Sequence, residues 1–173
     1  ARPGFAAIVT YLARLCDSDF SQIVLYVCEQ LHTAALNNME GEAAAAVQAY
    51  YPTRPEKVQA VGRAVLSGEI VQVSDIFDDD EYSQTLARSY DWRSVMAVPL
   101  KSKDQIVGAI AVAKRDPTPF SDRQVDLIST FARQAVIAID NARLFEAEQE
   151  RRKELQESVA ELEALGSVGQ VVS

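Results

Sequence analysis

The chain is poor in the residues that most enzyme chemistry needs. It has one histidine, His32, in 173 residues. His32 sits inside a strand pattern, where an edge or core position is expected rather than a metal site or a Cys–His dyad. Two cysteines cannot make a disulfide framework. Cys16 lies in a helical pattern and Cys28 in a strand pattern, both flanked by apolar residues, so both are expected to be buried, reduced thiols. A basic surplus is missing: 17 Lys and Arg stand against 25 Asp and Glu, a net charge of −8. That argues against a nucleic-acid surface, which needs a basic patch. Long apolar runs are missing too. The longest, residues 106–113, falls far short of the ~20 residues that a membrane-spanning helix requires. No secretory signal is visible, so a reducing cytoplasm is the expected compartment and no membrane contact is expected.

Catalytic signatures are equally absent. "VGRAVLSG" has two glycines but no Lys-Ser/Thr ending and no strand before it, so it is not a phosphate loop. "FDDDEY" lacks the spaced acidic and glycine pattern of a calcium loop and reads as a solvated acidic loop. There is no nucleophile elbow, zinc signature or kinase motif. A well-ordered pattern of helices and strands without catalytic apparatus points to binding or regulation, not to an enzyme.

What is present is a normal core. The chain is 48% hydrophobic and 24% charged, which suits one domain with an appended element. Phe5, Ile8, Val9, Leu12 and Leu15 mark one face of a first helix. No capping residue precedes it, and the segment is expected to be cut from a longer protein. Ile23, Leu25 and Val27 alternate with Val24, Tyr26 and Cys28, predicting a strand covered on both sides; Glu29-Gln30 then turns into a second strand over residues 31–36. The alanines of residues 40–49 predict a helix. A second short helix is expected with Pro55 in its first turn and Gly68 as its left-handed stop. "IVQVSDI" predicts a half-buried strand, and the three Asp that follow lead into a short helix.

The loudest stretch is "WRSVMAVPLKSKDQIVGAIAVA", two apolar runs joined by a polar turn. Val95, Ala97 and Pro99 point one way; Ser94, Met96, Val98 and Leu100 point the other. Both faces are apolar, which predicts a central hairpin. The rest predicts one long helix from residue 121. Ser121 and Gln124 form a capping box, with Phe120 and Val125 as a hydrophobic staple. Beyond Phe145 the apolar stripe narrows to Leu155, Val159 and Leu162, a coiled-coil seam weakened near Glu148 and Arg152. A break is expected at Gly166.

The order of these pieces resembles a GAF domain. The resemblance rests on "SVMAVPL", "VGAIAV" and the helix "FSDRQ…FARQAVIAIDNARLFE", and covers residues 5–147. It implies an α+β fold with a central antiparallel sheet of five or six strands. Terminal helices would lie on one face, and loops and short helices would cover a pocket on the other. Residues 1–147 would form the domain, 148–165 a signalling coiled coil, and 166–173 the opening of a following domain. The family serves as sensory and regulatory modules of histidine kinases, cyclases, phosphodiesterases and phytochromes.

The family's ligands are tested residue by residue. Of the cyclic-nucleotide pattern only Lys114 and Phe120 survive. The bilin-attachment region, "DEYSQTLARSYDW", has no Cys or His. Cys16 and Cys28 are too few for a sulfoxide-reducing centre, and a haem ligand would have to be His32. Cyclic nucleotide and covalent bilin are therefore not expected, and no cofactor is assigned. The resemblance implies that a pocket, if present, draws on Tyr26, Asp75, Tyr82, Leu86, Tyr90, Trp92, Arg93 and Ser94, with Arg93 receiving a small anion. Tyr82, Leu86 and Tyr90 also have the spacing of core residues, Arg93 also suits Asp75 or Asp91, and Ser94 also suits a strand end. A homodimer is expected through Phe145, Leu155, Val159 and Leu162, signalling to output domains of the same polypeptide; the alternative is a ligand-free dimerisation module.

Overall fold

The two apolar runs in the middle of the chain pair, and the remaining elements assemble around them. The computed structural model describes residues 3–172. Strands β4 (Ser94–Ser102) and β5 (Gln105–Lys114) form an antiparallel hairpin. Its turn residues, Lys103 and Asp104, have φ of 50° and 65°. Positive φ at both positions gives a two-residue turn the twist that its strands require. Strand β1 (Phe20–Val27) pairs with the other edge of β5, strand β2 (Gln30–Asn37) with β1, and strand β3 (Val71–Val73) with β4. The sheet has five strands in the order β2-β1-β5-β4-β3, so the hairpin is central, as expected.

Side chains alternate along each strand, and the two faces of the sheet are built differently. Ile23, Met96, Val98, Leu100, Ile110 and Val112 are buried on one face. Helix α1 (Pro3–Leu15) and the first turns of α5 (Asp122–Val172) lie there. The Ser21 hydroxyl donates to the Val9 carbonyl at 2.6 Å, and the Gln124 amide donates to the Cys16 carbonyl at 2.6 Å. The other face carries Val24, Val95, Ala97, Ala109, Ala111 and Ala113. It is covered by α2 (Gly41–Tyr50), α3 (Ala60–Ser67), α4 (Gln84–Ser89) and their loops.

The capping box opens α5: the Ser121 N–H donates to the Gln124 side-chain oxygen at 2.8 Å, and the Gln124 N–H donates to the Ser121 hydroxyl at 3.2 Å. The chain falls into two compact units, Ala1–Ala138 and Ile139–Ser173. Among the described residues the second unit is helical, and no helix is long and apolar enough to cross a membrane.

Several local expectations are corrected. The helix does not break at Gly166 but continues to Val172. A lone glycine costs a helix only about 1 kcal/mol relative to alanine, and it ends one only where the chain turns left-handed. Cys28 is exposed, not buried. It forms the β1–β2 turn with Glu29, at φ of 51° and 62°, which places it at a hairpin tip. The strand therefore ends one residue earlier than its apolar pattern suggested, with Val27 exposed. Leu15 is exposed and Cys16 takes the buried place behind it. Helix α3 begins at Ala60, far past Pro55. Gln59 caps it, accepting from the Val61 N–H at 3.1 Å. Residues 55–58 instead cross the helix at Gly62, where a Cβ would stand 2.0 Å from the Glu56 carbonyl oxygen. Gly68 ends α3 at φ 69°, as expected.

Candidate functional site

The four alanines of the second face, Ala97, Ala109, Ala111 and Ala113, leave a shallow floor over the middle of the sheet. Aromatic rings fill the space above it. Trp92 stacks on Tyr90 with ring centroids 4.2 Å apart and planes 16° from parallel. Phe20 tilts against the Trp92 ring at 5.4 Å, and Tyr50 meets Tyr51 edge-on at 5.1 Å. The cavity that remains is about 20 Å³, enough for about one water molecule. Phe20, Gln22, Tyr51, Gln59, Tyr90 and Trp92 are among the residues that line it, and none of its lining residues is charged.

The polar groups of this chamber are only partly paired. The Gln59 amide donates to the Tyr51 hydroxyl at 3.1 Å while its oxygen caps α3. Gln22 donates to the Thr33 hydroxyl at 3.2 Å. Trp92 Nε1 and the Tyr50 hydroxyl are buried with no hydrogen-bond partner among the protein's groups. The Tyr82 hydroxyl lies near the Trp92 N–H, and Gln59 near the Tyr50 hydroxyl, but neither pair has bonding geometry. Burial holds the Tyr51, Tyr82 and Tyr90 phenols above their ordinary range, so all three are neutral near pH 7. The chamber offers flat apolar surface and neutral hydrogen-bonding groups, and no charge.

Two arginine clasps hold the segment that covers it. Arg63 donates two hydrogen bonds to Asp79, at 2.7 and 2.8 Å, and a third to the Lys57 carbonyl at 2.6 Å. Asp79 Oδ1 also accepts from the Glu81 and Tyr82 N–H groups, each at 3.0 Å. The Arg63 guanidinium holds the Asp79 carboxyl below the ordinary carboxylate range. Arg93 Nε donates to Asp75 at 2.8 Å, and Nη2 makes a second contact with the same carboxylate. Asp75 accepts from the Phe77 N–H at 3.1 Å, and its carboxyl too is held low, first by Arg93. The acidic stretch read as a solvated loop is thus pinned at Asp79, between α3 and the turn before α4.

The structure gathers some of the predicted site residues and disperses others. Tyr90 and Trp92 line the chamber. Tyr82 is 3% exposed in the same cluster, and Tyr26 packs against the cluster from β1. Leu86 is half-buried on α4. Arg93 is committed to Asp75 and lies 4.8 Å over the Phe77 ring. The Ser94 hydroxyl donates to the Asp116 carbonyl at 2.8 Å and closes a strand end. Asp91, the other acidic neighbour considered for Arg93, pairs with Arg115 at 3.0 Å. Sequence reasoning missed Phe20, Gln22, Tyr51 and Gln59. A usable signal was the size alternation in "GAIAVA", where Ala109, Ala111 and Ala113 at every second position announce a face with room above it, with Ala97 of "VMAVPL" opposite Ala111.

Residues 4–139 match the family model of the GAF domain. The chain belongs to the GAF family. A GAF domain is a sensory or regulatory module of signalling proteins, not itself a catalytic unit. Solved structures share the fold at low identity. A GAF domain/HD domain protein from Geobacter sulfurreducens is 18% identical, with a TM-score of 0.70 over 81% of this chain and 92% of that one. A domain assigned to a two-component sensor histidine kinase of Sinorhizobium meliloti 1021 is 19% identical, with a TM-score of 0.68 over 86% and 97%. The type II free methionine-R-sulfoxide reductase of Thermoplasma acidophilum is 17% identical, with a TM-score of 0.63 over 78% and 89%. In this GAF domain Cys16 is buried, Cys28 is exposed at a hairpin tip, and neither lines the chamber.

Proposed function

We propose that this GAF domain is a non-catalytic sensor whose aromatic chamber takes a small molecule. The observation that carries the reading is a chamber of stacked aromatic rings with neutral polar groups in its walls, Gln22, Tyr51, Gln59 and Trp92 Nε1, the last buried without a hydrogen bond inside the protein. Such a group is costly to leave unpaired, and a ligand that pairs with it recovers that cost. The ligand acts by population shift: it binds one arrangement of the cover better than the other. The signal leaves along the C-terminal helix to an output domain, a histidine kinase or a cyclase, elsewhere in the same polypeptide.

The partner for that helix is a second copy of the chain. Phe145, Leu155, Val159 and Leu162 are 63%, 57%, 52% and 68% exposed, and the last three recur at the 4 and 3 spacing of a parallel coiled-coil seam. Glu148 and Arg152 interrupt the stripe and pair with each other at 3.1 Å, which leaves a weak place where the register can shift. A ligand-free dimerisation module is the second reading, favoured by the small free volume of about 20 Å³.

Native mass spectrometry of the protein purified from its own cells tests the sensor reading: a bound metabolite is expected, and a bare chain favours the dimerisation module. Analytical ultracentrifugation tests the helix. A dimer is expected, and Leu155→Asp with Leu162→Asp should yield folded monomers. A parent chain that stays monomeric at high micromolar concentration would refute the assembly.

A further inference from the structure

We infer that Arg115 couples the cover of the chamber to the helical face of the sheet, by sharing one guanidinium between a carboxylate on each side. Arg115 directly follows β5. Its Nε donates to Asp91 at 3.0 Å, and its Nη1 lies 3.5 Å from Asp19. Asp91 belongs to the cover: it stands between Tyr90 and Trp92, whose rings stack. Asp19 belongs to the connection between α1 and β1, just past Cys16, whose carbonyl accepts from the Gln124 side chain. Gln124 is also a member of the capping box that opens α5.

One guanidinium does not serve both carboxylates equally. The Asp91 contact is a full hydrogen bond, and the Asp19 contact is longer than one. Asp19 is kept within reach by the backbone: it accepts from the Arg115 N–H at 2.8 Å, and its own N–H donates to the Ala113 carbonyl at 3.0 Å. The guanidinium also lies 4.8 Å over the ring of Phe20, which lines the chamber. Two arrangements follow. With the cover closed, Asp91 holds the guanidinium and Asp19 has the weaker share. With the cover displaced, Asp91 withdraws and the guanidinium closes on Asp19, which tightens the α1–β1 connection beside the start of α5. Both sides bias one two-state element, which is what coupling between sites requires, and the coupling is reciprocal. The Arg115, Asp91 and Asp19 side chains are 55%, 65% and 40% exposed, so water and salt screen the pairs and keep the coupling modest. The coupling deepens the sensor reading by naming where its signal crosses from the chamber to α5, and only that use of it rests on the reading.

Each side of the sheet has its own reporter. Trp92 is the single tryptophan, so its buried indole N–H gives one nuclear magnetic resonance signal, and hydrogen exchange of that group reads the cover. In a Cys28→Ser background the thiol-labelling rate of Cys16, which is buried, reads the helical face. Asp91→Asn removes the charge on the cover and frees the guanidinium for Asp19, so Cys16 labelling should slow about twofold to fivefold. Asp19→Asn should in turn slow exchange of the Trp92 N–H by a similar factor. Both effects should vanish in an Arg115→Gln background and shrink in about 1 M salt. A merely structural ion pair gives another sign: its loss loosens what it held, and the far reporter speeds up or stays unchanged. If Asp19→Asn fails to fold, the Asp91→Asn arm decides alone. Unchanged or faster Cys16 labelling in Asp91→Asn, or a slowing that persists without Arg115, overturns the inference. A bound metabolite in a protein that fails this test leaves the sensor reading intact. The coupling found in a protein that carries nothing in its own cells upholds the inference and counts against the sensor reading alone.

Discussion

The two faces of the sheet are made from the same strands and do different work. On the helical face the strands present Ile23, Met96, Leu100 and Ile110, each fully buried. Branched and long aliphatic side chains interdigitate there with Phe5, Val9, Leu12 and Ile128, all at most 1% exposed. Across the backbone the same strands present Ala97, Ala109, Ala111 and Ala113, with Val24 and Val95 beside them. Rings from the covering segments reach down to that floor and bring Trp92 Nε1 and the Tyr50 hydroxyl with them, buried and unpaired. One face is packed for stability. The other holds polar groups in the interior without hydrogen bonds, which costs stability.

The largest expected effect breaks the aliphatic face. Ile110 is fully buried and lies opposite Ile23 and Val98 in the sheet. Ile110→Ala should cost about 2–5 kcal/mol by urea denaturation, the range for a buried Ile, Leu or Met cut to alanine. The adjacent residue on the other face gives the contrast. Ala111→Val adds methyl groups to the floor of a chamber that has about 20 Å³ free, and should cost about 1–3 kcal/mol from overpacking. If the two costs are reversed, the ring-filled face is the stabilising one and the comparison fails.

This difference between faces was half legible in the sequence. Helices, strands and the central hairpin follow from periodicity, and Ser121 with Gln124 announced the start of α5 through a capping box that forms. "Apolar on both faces" was right for β4 and β5 but ignored size, and size is what separates Ile110 from Ala111. Tyr51 and Gln59 escaped because they stand at the two ends of the connection from α2 to α3, and no periodicity encodes how that connection folds over the sheet. Cys28 was misread for the opposite reason: apolar neighbours dominated a local pattern, although turn geometry decides its exposure. Arg93 was legible as one member of an ion pair, but not which carboxylate would hold it, since Asp75 and Asp91 both lie within reach in sequence.

The clasps sharpen the comparison on the chamber side, because they hold its cover. The Arg63 and Asp79 side chains are 15% and 24% exposed. Arg63→Ala removes two charge-assisted hydrogen bonds and should cost about 1–3 kcal/mol near neutral pH. The pH dependence has a definite sign. Arg63 lowers the folded-state pKa of Asp79 below its unfolded value, so the contribution is complete above about pH 4 and is lost as pH falls through the folded value. The gap between parent and Arg63→Ala should therefore close in acid. A gap that stays constant from neutral pH to about pH 2 would show that the arginine acts by packing alone.

The smallest effect changes no stability and reads the faces kinetically. Cys28 stands exposed on the β1–β2 turn, away from both faces, and should react with a thiol reagent quickly and without harm to the fold. Cys16 is fully buried at the end of α1, its carbonyl held by Gln124 of α5, and burial pushes its thiol up to about 11. It is almost wholly protonated near neutral pH and hidden from the reagent, so it should label only when the helical face opens. Its labelling rate in a Cys28→Ser background is then a native gauge of that face. Ile110→Ala loosens the packing around it and should speed the labelling; Ala111→Val strains the opposite side and should speed it less than its loss of stability alone implies. Equal acceleration by the two substitutions, at equal loss of stability, would mean that the faces open together and that the sheet separates them in packing only.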